Sequence, residues 1–202
     1  MSSTPTTKMP SKRRKAQILH VATELFAELG YDGTSLRDVA EKCGMTKAAL
    51  YYHFADKEAL LRAVVEFRMT RLCELAEAAI ATASPDSPQD RIRAFVRASA
   101  RHIDNDRAGW LVGSRIFWSI GSKTDRSALV TLRDRYEGLL RNEIEKGIAM
   151  GEFISGDAGM LTRMILGWLN YIPRWHRLDG PSTAEAVADS YLDVTLNGMR
   201  VR

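Results

Sequence analysis

Apolar side chains recur along this chain at helical spacing almost from end to end, and the alternation that marks a half-buried strand is nearly absent. Ile18, Ala22, Leu25 and Leu29, with Phe26 beside them, predict a helix that starts at Ser11. Gly30 is suited to end it, because glycine adopts the left-handed C-terminal cap without strain. Thr34 is placed to cap a short helix with Leu36, Val39, Ala40 and Cys43 turned inward. Gly44 breaks that helix, and Thr46 caps a second short one running to about His53. Asp56 then caps a long amphipathic helix from Lys57 to about Ala81, with Leu60, Val64, Phe67 and Leu75 on one face. The stretch Ser84-Pro-Asp-Ser-Pro is the clearest linker-like segment. Beyond it, helices are predicted at about 88–104, 107–120, 125–151, 157–177 and 183–199, the last three punctuated by Gly151, Gly156 and Gly180-Pro181. The fold class is therefore all-α, with about nine helices. An N-terminal three-helix unit precedes a larger helical domain. The division expected is a disordered arm over 1–11, a small helical domain over 12–57 and a larger helical domain over 58–202.

Composition narrows this picture without changing it. Hydrophobic residues make up 45% of the 202 and charged residues 27%, so a sizeable core can form and a disordered or fibrous class is excluded. The net charge of +4 is modest, but residues 1–57 hold nine Lys/Arg against six Asp/Glu. Lys8, Lys12, Arg13, Arg14 and Lys15 crowd the first fifteen residues with no acid among them. A basic arm ahead of a folded unit points to a polyanion, usually nucleic acid, or is a solvated tail. Cys43 and Cys73 lie far apart and outside any metal-ligand spacing, so neither a disulfide framework nor a metal site follows. No apolar run is long enough to span a bilayer, and the start of the chain lacks the apolar segment of a signal peptide, so a cytoplasmic protein that does not engage membranes is expected.

The chemistry is densest over residues 34–60, TSLRDVAEKCGMTKAALYYHFADKEAL. Two short capped helices flank a glycine turn, with apolar residues placed to pack them crosswise, which is the layout of a helix-turn-helix. The second helix is short enough to lie in a major groove with its first residues at base edges. Leu50 and Phe54, four apart, face inward, which leaves Lys47, Ala48, Tyr51 and Tyr52 outside. Two adjacent exposed tyrosines make poor core and good phosphate donors or thymine-methyl contacts.

These residues resemble the N-terminal domain of the TetR family of bacterial regulators. The match runs through Phe26, Gly30, Tyr31, Thr34, Val39-Ala40, Gly44, Thr46, Leu50-Tyr51-Tyr52-His53-Phe54 and Lys57-Glu58-Ala59-Leu60, about fifty residues in all. One departure is Ala48, where many members carry Gly. Ala is a good helix former, so the assignment is not threatened. The resemblance implies that Thr34, Thr46, Tyr52, His53 and Lys57 hold phosphates, and that Lys47, Ala48, Ala49 and Tyr51 face bases. Arg13, Arg14 and Lys15 are then placed for the backbone or an adjacent minor groove. Taken singly, His53 reads as a surface histidine and Lys57 as a helix-start residue; the motif as a whole gives them the DNA role.

The resemblance implies a helix-turn-helix domain over 12–57 and a ligand-binding and dimerisation domain over 58–202, and the sequence of the second must speak for itself. Met160–Ile172 is apolar nearly all round, so opposite faces must both be buried. Val187, Tyr191, Val194 and Gly198 recur along the final helix, with Leu192 and Met199 alongside. These last two helices are the expected homodimer interface, resembling the family's four-helix dimer bundle; completing a monomer core is the other reading. Aromatic residues gather in this half at Trp110, Phe117, Trp118, Tyr136, Phe153, Trp168, Tyr171 and Trp175. With Met164, Arg133, Asn170 and Arg174 they supply the mixture of apolar wall and placed polar groups that an organic ligand needs. Pro173 frees the Leu169 carbonyl, and a kink there would open space beside Trp168, Asn170 and Trp175.

The runs RDRYEGLLRNEIEKGIAMGEF and GWLNYIPRWHRLDG also resemble a subgroup of the family that senses acyl-coenzyme A thioesters. Arg133, Arg141, Arg174 and Arg177 are the candidate phosphate cations this implies. The expected function is a ligand-responsive repressor released from a pseudo-palindromic double-stranded operator by a small-molecule effector. A sensor of a hydrophobic drug-like compound controlling efflux, and a ligand-independent DNA-binding protein with a closed core, remain alternatives. An enzyme is disfavoured. Glu143 and Glu145 do not share a helix face, His102 and Asp104 are the other acid–base candidates, and no phosphate loop, metal spacing or nucleophile motif is present. No cofactor is implied.

Overall fold

The computed structural model describes residues 11–116 and 127–200. Among them, nine α-helices carry the fold: α1 (Ser11–Gly33), α2 (Leu36–Lys42), α3 (Lys47–His53), α4 (Lys57–Thr82), α5 (Pro88–Asn105), α6 (Arg107–Ile116), α7 (Ser127–Ala149), α8 (Ala158–Trp175) and α9 (Ala184–Met199). The all-α reading therefore holds. The one sheet-like feature among the described residues is an isolated antiparallel bridge between Phe153 and Arg200. The expected disordered arm falls mostly on 1–10, outside the described residues, and so do the ends of the predicted helices 107–120 and 125–151 that run into 117–126.

Most helix starts are built by short polar side chains that accept from an otherwise orphaned amide. Thr46 accepts from the Ala49 N–H at 3.2 Å and Asp56 from Ala59 at 2.6 Å. Ser87, Asp157 and Thr183 do the same for α5, α8 and α9. Two expectations at the start of the chain are corrected. Gly30 does break regular geometry (φ 75°), but the helix resumes to Gly33. Nor does Thr34 cap α2: Ser35 does, in a reciprocal capping box with Asp38. Thr34 is 2% exposed, and its hydroxyl proton is shared between the carbonyls of Leu25 (3.1 Å) and Gly30 (2.8 Å). It pins the irregular end of α1 to its own last regular turn.

Two cores form. The first gathers Ile18, Ala22 and Phe26 of α1, Val39 of α2 and Leu50 of α3, together with Leu60, Leu61, Val64 and Val65 of α4. Val112 of α6 and Leu129 of α7 also belong to it. The second takes Leu72, Cys73, Ala76 and Ile80 from the far half of α4 and joins them to α5, α7, α8 and α9. The buried stripe of α4 thus changes direction midway. That is why Phe67, expected inward, is exposed. Ser84–Pro88 is a tight corner between two packed helices rather than a domain linker, with Pro88 at the first position of α5.

Charge is placed at the joints. Arg93, Arg97 and Arg101 of α5 face Glu185, Asp189 and Asp193 of α9, four residues apart on both sides. This turns the acidic stripe of α9 toward its own subunit. Each exposed pair contributes only about 0–1 kcal/mol, so the ladder orients α9 more than it stabilises it. Glu143 of α7 is buried and bridged by Arg91 (2.8 Å) and Lys146 (2.9 Å). Burial works to raise its pKa, but those two cations outweigh it and leave the carboxyl below its ordinary value.

The α7–α8 corner depends on an absent side chain. The Phe153 ring lies so close to Gly147 that a Cβ there would come within 2.2 Å of it. Gly147→Ala is expected to displace Phe153 and destabilise the protein by about 1–3 kcal/mol, read as a lower urea midpoint with an unchanged slope.

Candidate nucleic-acid interface and ligand cavity

α3 is held by its middle and its C-terminal end. Leu50 is fully buried, and Phe54, the residue that closes the helix, is buried beside it. That anchoring fixes which side faces out. Lys47 and Ala48 are exposed, Tyr51 and Tyr52 are 45% and 89% exposed, and Ala49 is half-buried at the edge. The Lys47 ammonium sits 5.6 Å over the Tyr51 ring, which holds both on the outer face. Thr46 accepts a hydrogen bond for the cap and keeps its own proton to donate. His53 is half-buried, edge-on to Tyr52 at 5.5 Å.

The start of α1 lies at the foot of this helix: the Lys15 ammonium is 6.0 Å from the Phe54 ring. Arg13 is exposed, and Arg14 is bonded to Gln17 at 2.8 Å. The basic residues that open α1 are therefore brought toward the end of α3. A convex face of hydroxyls and cations on a short capped helix can enter a groove and donate to phosphates.

Two residues expected among the phosphate contacts are placed otherwise. Thr34 is buried with its proton already committed, so its role is structural. Lys57 donates to the Tyr31 carbonyl at 2.8 Å and lies 4.2 Å over the Tyr31 ring, bracing the start of α4 against the end of α1.

A cavity of about 600 Å³ opens among α4, α6, α7 and α8. Met69, Leu72, Trp110, Tyr136 and Leu166 give it apolar walls, and Arg68, Arg133, Arg163 and Arg174 bring cationic groups against one carboxylate, Glu137. Tyr136 contributes its ring only. Ser99 donates to the Phe95 carbonyl, so the Tyr136 hydroxyl donates to Ser99 (2.6 Å), away from the cavity. Burial pushes that phenol's pKa well above its ordinary value. His102 also lines the wall. Burial, and then the neighbouring Arg68 cation, lower its pKa, so the imidazole is neutral near pH 7.

Six expected ligand residues line this cavity: Trp110, Arg133, Tyr136, Asn170, Tyr171 and Arg174. Phe117 and Trp118 lie outside the described residues. Met164, Trp168 and Trp175 are corrected: they sit on a different face of α8, where Trp168 and Trp175 approach Tyr191 of α9 at 5.6 and 6.4 Å. α8 runs on through Pro173 to Trp175, and of the residues expected beside an opened kink only Asn170 reaches the cavity. Phe153 is buried against Gly147. Arg141 pairs with Glu137, and Arg177 with Asp179 on the surface; neither lines the cavity. Sequence reasoning missed Arg68, His102 and Arg163. For Arg163 a signal existed, because Arg163, Leu166, Gly167, Asn170 and Arg174 recur at the spacing of one helix face. The acid–base candidates are also accounted for: Glu143 is bridged as described, Glu145 is exposed on α7, His102 lines the cavity wall, and Asp104 holds His176 at 2.9 Å.

A third feature is an unpaired apolar face. Met160, Met164, Tyr171 and Trp175 of α8, with Tyr191 and Val194 of α9, are all 40% exposed or more. Leu192 and Met199, expected alongside that stripe, are buried in the core instead.

The family model described as "Bacterial regulatory proteins, tetR family" matches residues 18–64, and "Tetracyclin repressor-like, C-terminal domain" matches residues 85–199. The chain is 27% identical over 191 residues to the HTH-type transcriptional repressor KstR2 of Mycobacterium tuberculosis, covering 92% of each chain. Among solved structures it is similar to the TetR family regulator PfmR of Thermus thermophilus, with 35% identity and a TM-score of 0.81 over 91% of this chain and 99% of that one. It is also similar to AibR, solved in complex with isovaleryl coenzyme A and operator DNA, with 26% identity and a TM-score of 0.79 over 90% and 97%.

The different placements of Thr34 and Lys47 make a test. Thr34→Val is expected to lower stability by about 1–3 kcal/mol, because it strips a buried donor from two carbonyls, and to leave the salt dependence of duplex binding unchanged. Lys47→Ala should leave stability within about 0.5 kcal/mol and weaken duplex binding in a salt titration.

Proposed function

Since this chain belongs to the TetR family of bacterial transcriptional regulators, we propose that it is a repressor released from its operator by an acyl-coenzyme A thioester. It is a ligand-responsive DNA-binding regulator and not an enzyme. Like the family, it binds operator DNA and a small-molecule effector.

The observation that carries the effector assignment is the composition of the cavity. An acyl-coenzyme A needs an apolar chamber for its acyl part and cations for its phosphates. Trp110, Tyr136, Leu72 and Leu166 offer the first; Arg133, Arg163 and Arg174 offer the second. A neutral drug-like compound makes no use of those guanidinium groups, and a closed core would have no hollow of about 600 Å³. The likeness to AibR, seen with isovaleryl coenzyme A, supports the same reading.

The reader comprises α1–α3 with the first half of α4. Thr46, Tyr52 and His53 donate to phosphates, and Lys47, Ala48, Ala49 and Tyr51 meet base edges. Arg13, Arg14 and Lys15 extend the contact along the backbone. A homodimer forms through the apolar face of α8 and α9, presenting two copies of α3 to successive major-groove faces of a pseudo-palindrome in the cytoplasm. Ligand in the cavity favours a conformer with a different α3 spacing. It weakens DNA binding only by as much as it prefers that conformer.

Two measurements test this. In an electrophoretic shift assay with a duplex recovered by in vitro selection, acyl-coenzyme A thioesters of increasing chain length are expected to dissolve the shifted band at micromolar concentration, whereas free coenzyme A is not; no response to any thioester removes the effector assignment. Val194→Glu places a charge in the apolar face, and is expected to give a monomer in sedimentation and to lose the shifted band.

A further inference from the structure

We propose that Arg68 is a two-way contact: in the DNA-binding conformer it latches α4 to α6 through Asp106, and an acceptor group of the effector draws it off. The inference rests on the sensor reading above and assigns the part of the cavity wall, formed by Arg68, His102 and Gly109, through which occupancy is transmitted.

The guanidinium of Arg68 leaves the middle of α4 and pairs with the Asp106 carboxylate, with a second, longer contact to the Asp106 carbonyl at 3.4 Å. Asp106 sits at the corner where α5 ends and α6 begins. Its amide closes α5 on the His102 carbonyl (2.9 Å), and its carboxylate accepts from the Gly109 amide at 3.3 Å, as the cap of α6. The Arg68 side chain is only 11% exposed, and its guanidinium occupies the place that a side chain at Gly109 would take. A glycine at this position is what lets the cation reach the cap.

This latch borders the cavity on one side and the reader on the other. Arg68, His102, Gly109, Trp110 and Gly113 line the cavity, while Val112 of the same helix α6 is buried in the reader's core. α6 therefore cannot shift at the cavity without moving a side chain packed against the reader. Within the cavity wall Arg68 is the cation whose counter-ion is also a helix cap. An acceptor oxygen arriving beside the neutral His102 competes with Asp106 for it. Exchange of partners costs little net charge, but it detaches α4 from the start of α6.

Linkage gives the test its sign. If the Arg68–Asp106 contact stabilises the DNA-binding conformer, weakening it lowers DNA affinity and raises effector affinity together. A variant that merely damages the body lowers both. Asp106→Asn keeps the capping oxygen and removes the charge. In the full-length protein, with the selected duplex and octanoyl-coenzyme A as probe, it is expected to weaken ligand-free duplex binding by about tenfold and to lower the thioester concentration needed for release. Gly109→Ala, which fills the seat of the guanidinium and leaves both charges in place, should weaken ligand-free duplex binding in the same direction. Thermal melting identifies a variant that fails to fold, and the other then decides. Unchanged ligand-free duplex affinity in a folded variant overturns the latch, as does a parallel loss of duplex and thioester affinity. A wild-type protein that ignores octanoyl-coenzyme A counts against the effector assignment alone, because the ligand-free duplex measurement still decides the latch.

Discussion

The structure turns on a single helix being buried twice. α4 has 26 residues, a length of about 39 Å at 1.5 Å per residue. Its first half supplies Leu60, Leu61, Val64 and Val65 to one core, and its second half supplies Leu72, Cys73, Ala76 and Ile80 to another. Met69 touches both. Neither half can be repacked alone without turning the rod that carries the other. The first core also takes Val112 and Leu129 from helices that follow α5. The reader is thus joined to the body by packing from three helices rather than tethered through a linker.

α8 resolves a different demand, that of one helix with three neighbours. Thr162, Ile165, Leu169 and Ile172 enter the body's core, Arg163, Gly167, Asn170 and Arg174 line the cavity, and Met160, Met164 and Trp175 face outward with Tyr191 and Val194 of α9. Tyr171 stands at the border of the last two faces, exposed yet lining the cavity, with the Arg174 guanidinium 5.8 Å over its ring. A helix divided this way places the hollow beside the outward face, so occupancy of one bears on the packing of the other.

How far the sequence could be read follows from where each signal resides. The starts of α3 and α4 were legible because a cap is local: Thr46 and Asp56 each act within three residues. The outward set on α3 was legible for the same reason, since Leu50 and Phe54 fix the side that is buried. Thr34 misled because a threonine before a helix reads as a cap, whereas its hydroxyl reaches back nine residues to Leu25. Trp168 and Trp175 misled because an aromatic side chain on an all-apolar helix fits a cavity wall or an outer face equally well, and the choice is made by α9. Arg68 carried no local signal at all: its meaning comes from Asp106, 38 residues away.

The joints that hold the body differ in what would open them. Asp104 binds the His176 ring at 2.9 Å and the Ala184 amide at 3.0 Å, while Arg107 holds the His176 carbonyl, so four helix ends meet around groups that see little solvent. Glu143 is held between two cations, Arg91 and Lys146. Removing one partner from such buried contacts strands the other, which costs several kcal/mol, more than the roughly 1–3 kcal/mol typical of coupling between sites. The Arg68–Asp106 contact differs in that its guanidinium borders the candidate effector cavity, from which a competing acceptor can arrive. A signal of a few kcal/mol is of the size that can reopen that joint, while the joints around His176 and Glu143 hold the helices they join in register.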